Sequence, residues 1–277
     1  GDWRHGVRAE DIAQALAEDK KGQIKAVCCV HNETSTGVTS DIAAVRKAMD
    51  DAGHPALLMV DTISSLASID YRHDEWGVDV TIGGSQKGLM LPPGLGFNAV
   101  GAKALAASDT AAMTRSYWDW GPMLTANKGG AFPYTPATNL LYGLDEALTM
   151  LGEEGLVNVF HRHARLAEAA RLAVAAWGLE TVAQNEGEMS NSLTAVMLPD
   201  GHNADDFRAT VLERFNMSLG NGLGRLAGKV FRIGHLGDFN ELMLAGTLSG
   251  VEMGLAAAGI PHNRGGVQAA LDYLSPN

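Results

Sequence analysis

Two apolar runs separated by one helical face constrain this chain more than any other feature. Residues 24–30 and 56–60 have the length and composition of buried parallel strands. Between them Ser40 reads as an N-cap, Ile42, Val45, Met49 and Ala52 fall on one helical face, and Gly53 closes the helix. Strand, helix and strand in this order make a βαβ unit with a right-handed crossover. Residues 79–82 predict a third strand, broken by Gly83 and Gly84, and residues 96–100 a fourth. Open α/β sheets bind ligands outside the carboxyl ends of their strands. His31, Asp61 and the group Ser85-Gln86-Lys87 stand at those ends.

A short amphipathic helix over 9–19 precedes this unit, and residues 32–39 read as a polar loop. Beyond Lys103 the chain turns polar and aromatic. Tyr117, Trp118, Trp120, Phe132 and Tyr134, with Gly121, Gly129 and Gly130, suit a loop at a pocket or subunit interface, or a plain surface loop. Residues 139–151 and 156–177 read as helices, the longer one with Phe160, Ala164, Ala167 and Leu172 inward. Then follow a strand (193–198), a helix (205–215), a short strand near Met217, a strand (230–233) and a helix (241–258). The division falls near Glu153, giving units 1–153 and 154–277, the second a smaller α/β domain.

At 277 residues the chain exceeds the usual single-domain size and can bury a substantial core. A net charge of −11 argues against a nucleic-acid footprint, although a few cations in a pocket can still hold an anion. No segment approaches the ~20 apolar residues of a membrane span. Cys28 and Cys29 are adjacent in the first strand and read as buried on its opposite sides. Neighbours of that kind exclude a disulfide framework and suit a reducing compartment, so the expected location is cytoplasmic.

Asp61 and Lys87 end two strands with opposite charges. Each has an ordinary reading: carboxylates after strands cap turns, and most lysines are solvated. The alternative is an acid and an amine gripping one cofactor. Pyridoxal 5'-phosphate needs both, an amine for its aldehyde and a carboxylate that keeps its ring nitrogen protonated. Lysine suits the first task because it can lose its proton, as arginine cannot. Ile63, two residues beyond Asp61, points the same way in an extended chain and can pack under such a ring. Arg232 is either a strand salt-bridge partner or a bidentate anchor for a substrate carboxylate. Residues 220–224 match no dinucleotide-binding fingerprint, and with Gly228-Lys229 they make no phosphate loop. His161 and His163 diverge on their helix and are not a metal pair. Trp76 reads as a core or turn residue.

Several stretches, in order, resemble one family. They are H-N-E-T-S-T-G (31–37), P-A-L-L-M-V-D (55–61), V-D-T-I-S-S-L (60–66), D-E-W-G-V-D-V (74–80), G-G-S-Q-K-G (83–88) and F-R-I-G-H-L-G (231–237). They resemble the class V aminotransferases of fold type I, nearest the serine–glyoxylate and alanine–glyoxylate aminotransferases, over essentially the whole chain.

The resemblance implies an α/β fold type I transferase: a large domain with a mainly parallel sheet, its N-terminal part absent, and a smaller C-terminal α/β domain. It implies pyridoxal 5'-phosphate on Lys87, with Asp61 at the ring nitrogen and Thr34 near the phenolic oxygen. Gln86 and Thr135 would donate to the phosphate, Thr135 from a partner subunit of a homodimer. Arg232 would hold the substrate carboxylate, with His235 in a packing role. The implied partners are a small amino acid and a keto acid. Serine would give its amino group to glyoxylate, forming glycine and a 2-keto acid, with alanine or aspartate as alternative donors.

A lyase or a cysteine desulfurase of the same fold is the next rival. The desulfurases need a mobile-loop cysteine, which Cys28 and Cys29 fit poorly. A nicotinamide oxidoreductase lacks its glycine fingerprint here, and a non-catalytic binding role is the remaining alternative. The likeness further implies a preceding segment with part of the phosphate loop and a ring-stacking aromatic. Without that segment the first strand would show an apolar edge.

Overall fold

The computed structural model describes residues 2–275. Gly1 of the 1–153 unit and Pro276 and Asn277 of the 154–277 unit lie outside the described residues. Helix α1 (Ala9–Glu18) leads to β1 (Ala26–Val30), then to a hairpin of β2 (Asn32–Glu33) and β3 (Val38–Thr39). There follow α2 (Ile42–Asp51), β4 (Leu57–Asp61), β5 (Val80–Gly84) and β6 (Gly96–Val100). The first sheet has the order β1-β4-β5-β6, with β1, β4 and β5 parallel and β6 antiparallel to β5.

Strand alternation decides which face is covered. Val27, Cys29, Leu58 and Val60 point to one face and meet Ile42, Val45 and Met49 of α2 and Leu16 of α1 in one core. Cys28 and Val30 point to the opposite face and are exposed, so the expectation of two buried cysteines holds for Cys29 alone. Trp76 packs against the covered core, edge-on to both Tyr71 and His31.

Next come α3 (Ala102–Asp109), α4 (Trp120–Lys128), α5 (Thr138–Glu154) and α6 (Leu156–Trp177). The chain continues through β7 (Glu180–Thr181), β8 (Leu193–Met197), α7 (Ala204–Phe215), β9 (Gly220–Asn221), β10 (Val230–Gly234), α8 (Glu241–Ala257) and α9 (Gly266–Leu274). The second sheet, β7-β8-β10-β9, is antiparallel throughout. Helices α6 to α9 cover one of its faces around Trp177, Phe207, Phe231 and Leu248. Helix α6 serves two cores: Val159 packs under the lysine loop, and Leu166 onward under the second sheet.

Several local expectations are corrected. Gly83 and Gly84 do not break β5; they pair with Phe97 and Gly96 of an antiparallel neighbour. Helix α4 lies inside the supposed aromatic loop, capped by Asp119, whose Oδ1 accepts from Gly121 N at 3.0 Å. Pro122 fits its first turn, where no amide donor is needed. Asp41 and not Ser40 caps α2, through Ala44 N at 2.9 Å. The short strand expected near Met217 is Gly220–Asn221. Phe160, Ala164 and Leu172 are only partly buried, because α6 centres its buried face on His163, Leu166, Ala170 and Trp177. Among the described residues, no helix is long and apolar enough to cross a membrane.

Leu248 and Leu242 lie on the same helix, the first fully buried and the second 83% exposed. Leu248→Ala is expected to cost about 2–5 kcal/mol. Leu242→Ala should stay within about 0.5 kcal/mol. Urea unfolding midpoints at unchanged slope check both.

Candidate active site

Lys87 sits in a loop whose backbone has little freedom. Ser85, fully buried, donates its hydroxyl to Pro92 O (2.8 Å) and accepts from Leu95 N (3.2 Å). Leu91 N and Met90 N close the turn on Ser85 O and Lys87 O. Gly88 lies so close to the turn after β4 that a Cβ would stand 2.1 Å from Leu66 O. Met90 on one side and Ala67 on the other hold positive φ (63° and 59°), a strained conformation for non-glycine residues. The loop is therefore clamped between that turn and the second sheet, where Gly237 abuts Met90 and Lys87 O.

Asp61 is the last residue of β4, opposite Ile82 of β5. Its Oδ1 accepts from Ile63 N at 2.8 Å, so the turn-capping reading is correct as far as one oxygen goes. That bond ends the extended chain, and the expectation that Ile63 continues along the strand is corrected. The turn instead brings Ile63 Cδ1 over Gly84, within 2.9 Å of where a Cβ would be, beside the Gln86 amide. Glycine at 84 thus lets two of the expected residues, Ile63 and Gln86, meet at the mouth of β5.

Thr34 lies on the β2–β3 hairpin, which crosses from the first sheet to the second. His31 N bonds Asp61 O (2.9 Å) at one end, and Gly37 O accepts from Ser190 N (2.9 Å) at the other. Arg232 completes the crossing: Nη1 donates to Thr34 O (2.9 Å) and Nε to Asn221 O (2.7 Å). Burial lowers its pKa first, then the nearby Arg208, while Glu33 opposes both. Thr135 is exposed between α4 and α5, and the structure gives it no hydrogen bond to this group.

A buried network missed by sequence reasoning ties the sheets together. Ser64 Oγ donates to Asn32 O (2.6 Å) and accepts from Asn32 Nδ2 (2.8 Å), Ser192 Oγ donates to Ser64 O (2.7 Å), and Ser68 Oγ meets Ser192 Oγ (3.0 Å). The available signal was a run of serines straight after an apolar strand, at a place too buried for solvated hydroxyls. Two histidines support the Arg232 strand in the same way. His235 is fully buried, with Nε2 at 3.0 Å from Thr194 Oγ1. His163 accepts from Gly237 N at Nε2 (3.0 Å), so its Nδ1–H donates to Val159 O (2.7 Å) and the ring is neutral.

These segments carry an amine, a carboxylate, an amide, a hydroxyl and a guanidinium; Ile63 and Gln86 meet at the mouth of β5, and Arg232 is joined to the hairpin through Thr34 O. Lys87, Asp61 and Arg232 enter no ion pair among the described residues, whereas Arg162, Arg171 and Arg208 are each paired with a carboxylate.

The family model described as aminotransferase class-V matches residues 5–224. The serine–glyoxylate aminotransferase of Methylorubrum extorquens is 52% identical over 282 residues, covering 100% of this chain and 70% of that enzyme. The L-aspartate–glyoxylate aminotransferase of Paracoccus denitrificans is 46% identical over 98% of this chain and 69% of its own length. Among solved structures, the pyridoxamine–pyruvate aminotransferase of Mesorhizobium loti superposes with a TM-score of 0.89 at 29% identity, over 98% of this chain and 70% of that one.

Burial pushes His31 down to about 4 and His235 to about 3, and it also holds His163 below its ordinary value. In the unfolded chain each takes up a proton near pH ~6.5. Below that pH the unfolded state binds more protons, so this stability is whole above about 6.5 and is lost as pH falls from there towards about 4. Urea midpoints should drop between about pH 7.5 and about pH 5. A flat profile over that range would contradict the neutral assignment.

Proposed function

The chain belongs to the class V aminotransferases, and from that membership we propose that it moves the amino group of L-serine to glyoxylate, giving glycine and a 2-keto acid. Its cofactor is pyridoxal 5'-phosphate. The residues present suit that group, and one observation carries the reading: Asp61, Lys87 and Arg232 are ionisable, partly buried and without ion-pair partners among the described residues. Such groups are held without counter-charge where a ligand supplies it.

The bound cofactor supplies an aldehyde that accepts the amino group and a protonated ring that draws electrons from the substrate α-carbon. Lys87 Nζ would hold that group through its amine and, once free, would be the base that takes the proton from the substrate α-carbon. Asp61 would keep the ring nitrogen protonated through the oxygen that the turn does not engage, Oδ1 being taken by Ile63 N. Ile63 would pack against the cofactor, and Thr34 and Gln86 would supply hydrogen bonds to its oxygens. Arg232 grips the substrate carboxylate through the N–H groups not used on Thr34 O and Asn221 O.

Serine is favoured over aspartate as donor. A second carboxylate needs a second free cation, and Arg208, the cation nearest in influence to Arg232, is engaged by Asp205 Oδ1 (2.9 Å) and Leu219 O (2.8 Å). Aspartate is the donor named for the Paracoccus relative and stays the same-class alternative. A cysteine desulfurase role is disfavoured although Cys28 is exposed, since that thiol is fixed in β1. The reading includes a cytoplasmic homodimer in which Thr135 serves the partner's phosphate site. Its support is the exposed group Tyr117, Trp118, Phe132 and Tyr134, an unusual concentration of aromatic surface.

Borohydride reduction of the loaded enzyme and peptide mapping should place the label on Lys87; a label on another lysine would refute its role. L-serine should discharge the cofactor faster than L-alanine or L-aspartate, with glyoxylate recharging it. Arg232→Lys should weaken that serine half-reaction by about 1.5–3 kcal/mol while the cofactor stays bound. Unchanged serine kinetics in that variant would remove Arg232 from the site.

A further inference from the structure

We infer that Gly220 is a positioning residue for the substrate carboxylate: its missing side chain is the slot in which the Arg232 side chain lies. The inference rests on the reading of Arg232 given above. On β10, Phe231 and Ile233 point into the helix-covered core, while Arg232 emerges on the opposite face, between Ala195 of β8 and Gly220 of β9. A Cβ at position 220 would stand 3.0 Å from Arg232 Cβ, 3.2 Å from Nε and 3.5 Å from Cζ. Directly opposed residues in an antiparallel pair normally keep their Cβ atoms ~4.5–5.5 Å apart. The arginine has therefore folded into the space that any other residue at 220 would fill.

Gly220 does not owe its place to backbone freedom, since it is not among the residues with positive φ. What the position needs is room. The same room lets Nε reach Asn221 O and carries Nη1 across to Thr34 O on the hairpin from the first sheet. Ala195 flanks the arginine on the other side, and the hairpin lies over it: a Cβ added at Gly37 would stand 3.5 Å from Ala195 N and 3.7 Å from Ala195 Cβ. A methyl group at 220 requires the stem of Arg232 to give by a few tenths of an ångström, and that shift moves the guanidinium off the two carbonyl bonds that aim it.

The test is a double-substitution cycle in the cofactor-loaded enzyme. Gly220→Ala should raise KM for serine and for glyoxylate about tenfold, short of the ~100-fold that an ångström of misplacement can cost. Gly220→Val should raise both further. The inhibition constant of a non-reacting carboxylate, 3-hydroxypropionate, should rise in parallel, with cofactor affinity and Tm near the parent values. In an Arg232→Lys background, where there is no guanidinium for the carbonyls of Asn221 and Thr34 to aim, Gly220→Ala should add little to KM. An equal rise in both backgrounds, a lowered Tm with KM unchanged, or no change at all would overturn the inference. Arg232→Lys alone separates the two levels. If it leaves KM unchanged, the reading of Arg232 and this inference fall together; if it raises KM while Gly220→Ala does not, only the inference falls.

Discussion

The approach of Gly88 to the carbonyl of Leu66 is the constraint on which the site depends. A side chain there would overlap backbone, which cannot move aside as a flexible side chain can. Because the contact is made, the turn after β4 and the loop after β5 form one body, and Asp61 and Lys87 are displayed from it together. The positive φ values of Ala67 and Met90 bracket that contact. Strain of this kind costs about 1–3 kcal/mol per residue and persists where the surroundings over-determine it. Here the surroundings are the Ser85 hydroxyl bonds on one side and the Gly237 turn on the other.

The polar groups divide into those that hold the frame and those left over. Arg162 binds both Glu154 oxygens as well as Gly237 O and Phe239 O, and so fastens the turn after Arg232 to α6. The side chains of the Asn32–Ser64–Ser192–Ser68 group are all hydrogen-bonded, with Thr39 Oγ1 donating to Asn32 Oδ1 from outside the group. Buried polar networks of this completeness specify a single arrangement, because a half-made network is costly in a medium of low dielectric constant. Against that background the unpaired Lys87, Asp61 and Arg232 are conspicuous.

The neutral histidines belong to the frame. His163 fixes one tautomer by accepting from Gly237 N and donating to Val159 O, and His235 does comparable work under β10. Neither meets the reacting groups directly. Both set the position of the strand and turn that carry Arg232; burial lowers the pKa of each, and in His163 a charge would break the bond accepted from Gly237 N.

The sequence by itself determined the βαβ order, the limits of α6 to the residue, and which strand-end residues carry an amine, a carboxylate or a guanidinium. These are local properties: apolar period, chain breakers, and the reactivity of an amine, a carboxylate and a guanidinium. Tertiary structure decided what pattern cannot encode. Cys28 is exposed because only one face of the first sheet is covered, and Ile63 leaves the strand line because Asp61 bonds its amide. Helix α4 was hidden by aromatic residues that give it no buried face, and the His163 bond is invisible until α6 meets a turn 74 residues away. Gly220 reads as one glycine among 33 in the sequence. Only the register of β9 on β10 sets it opposite Arg232, because the space a side chain would occupy is defined by its neighbours across the sheet and not along the chain.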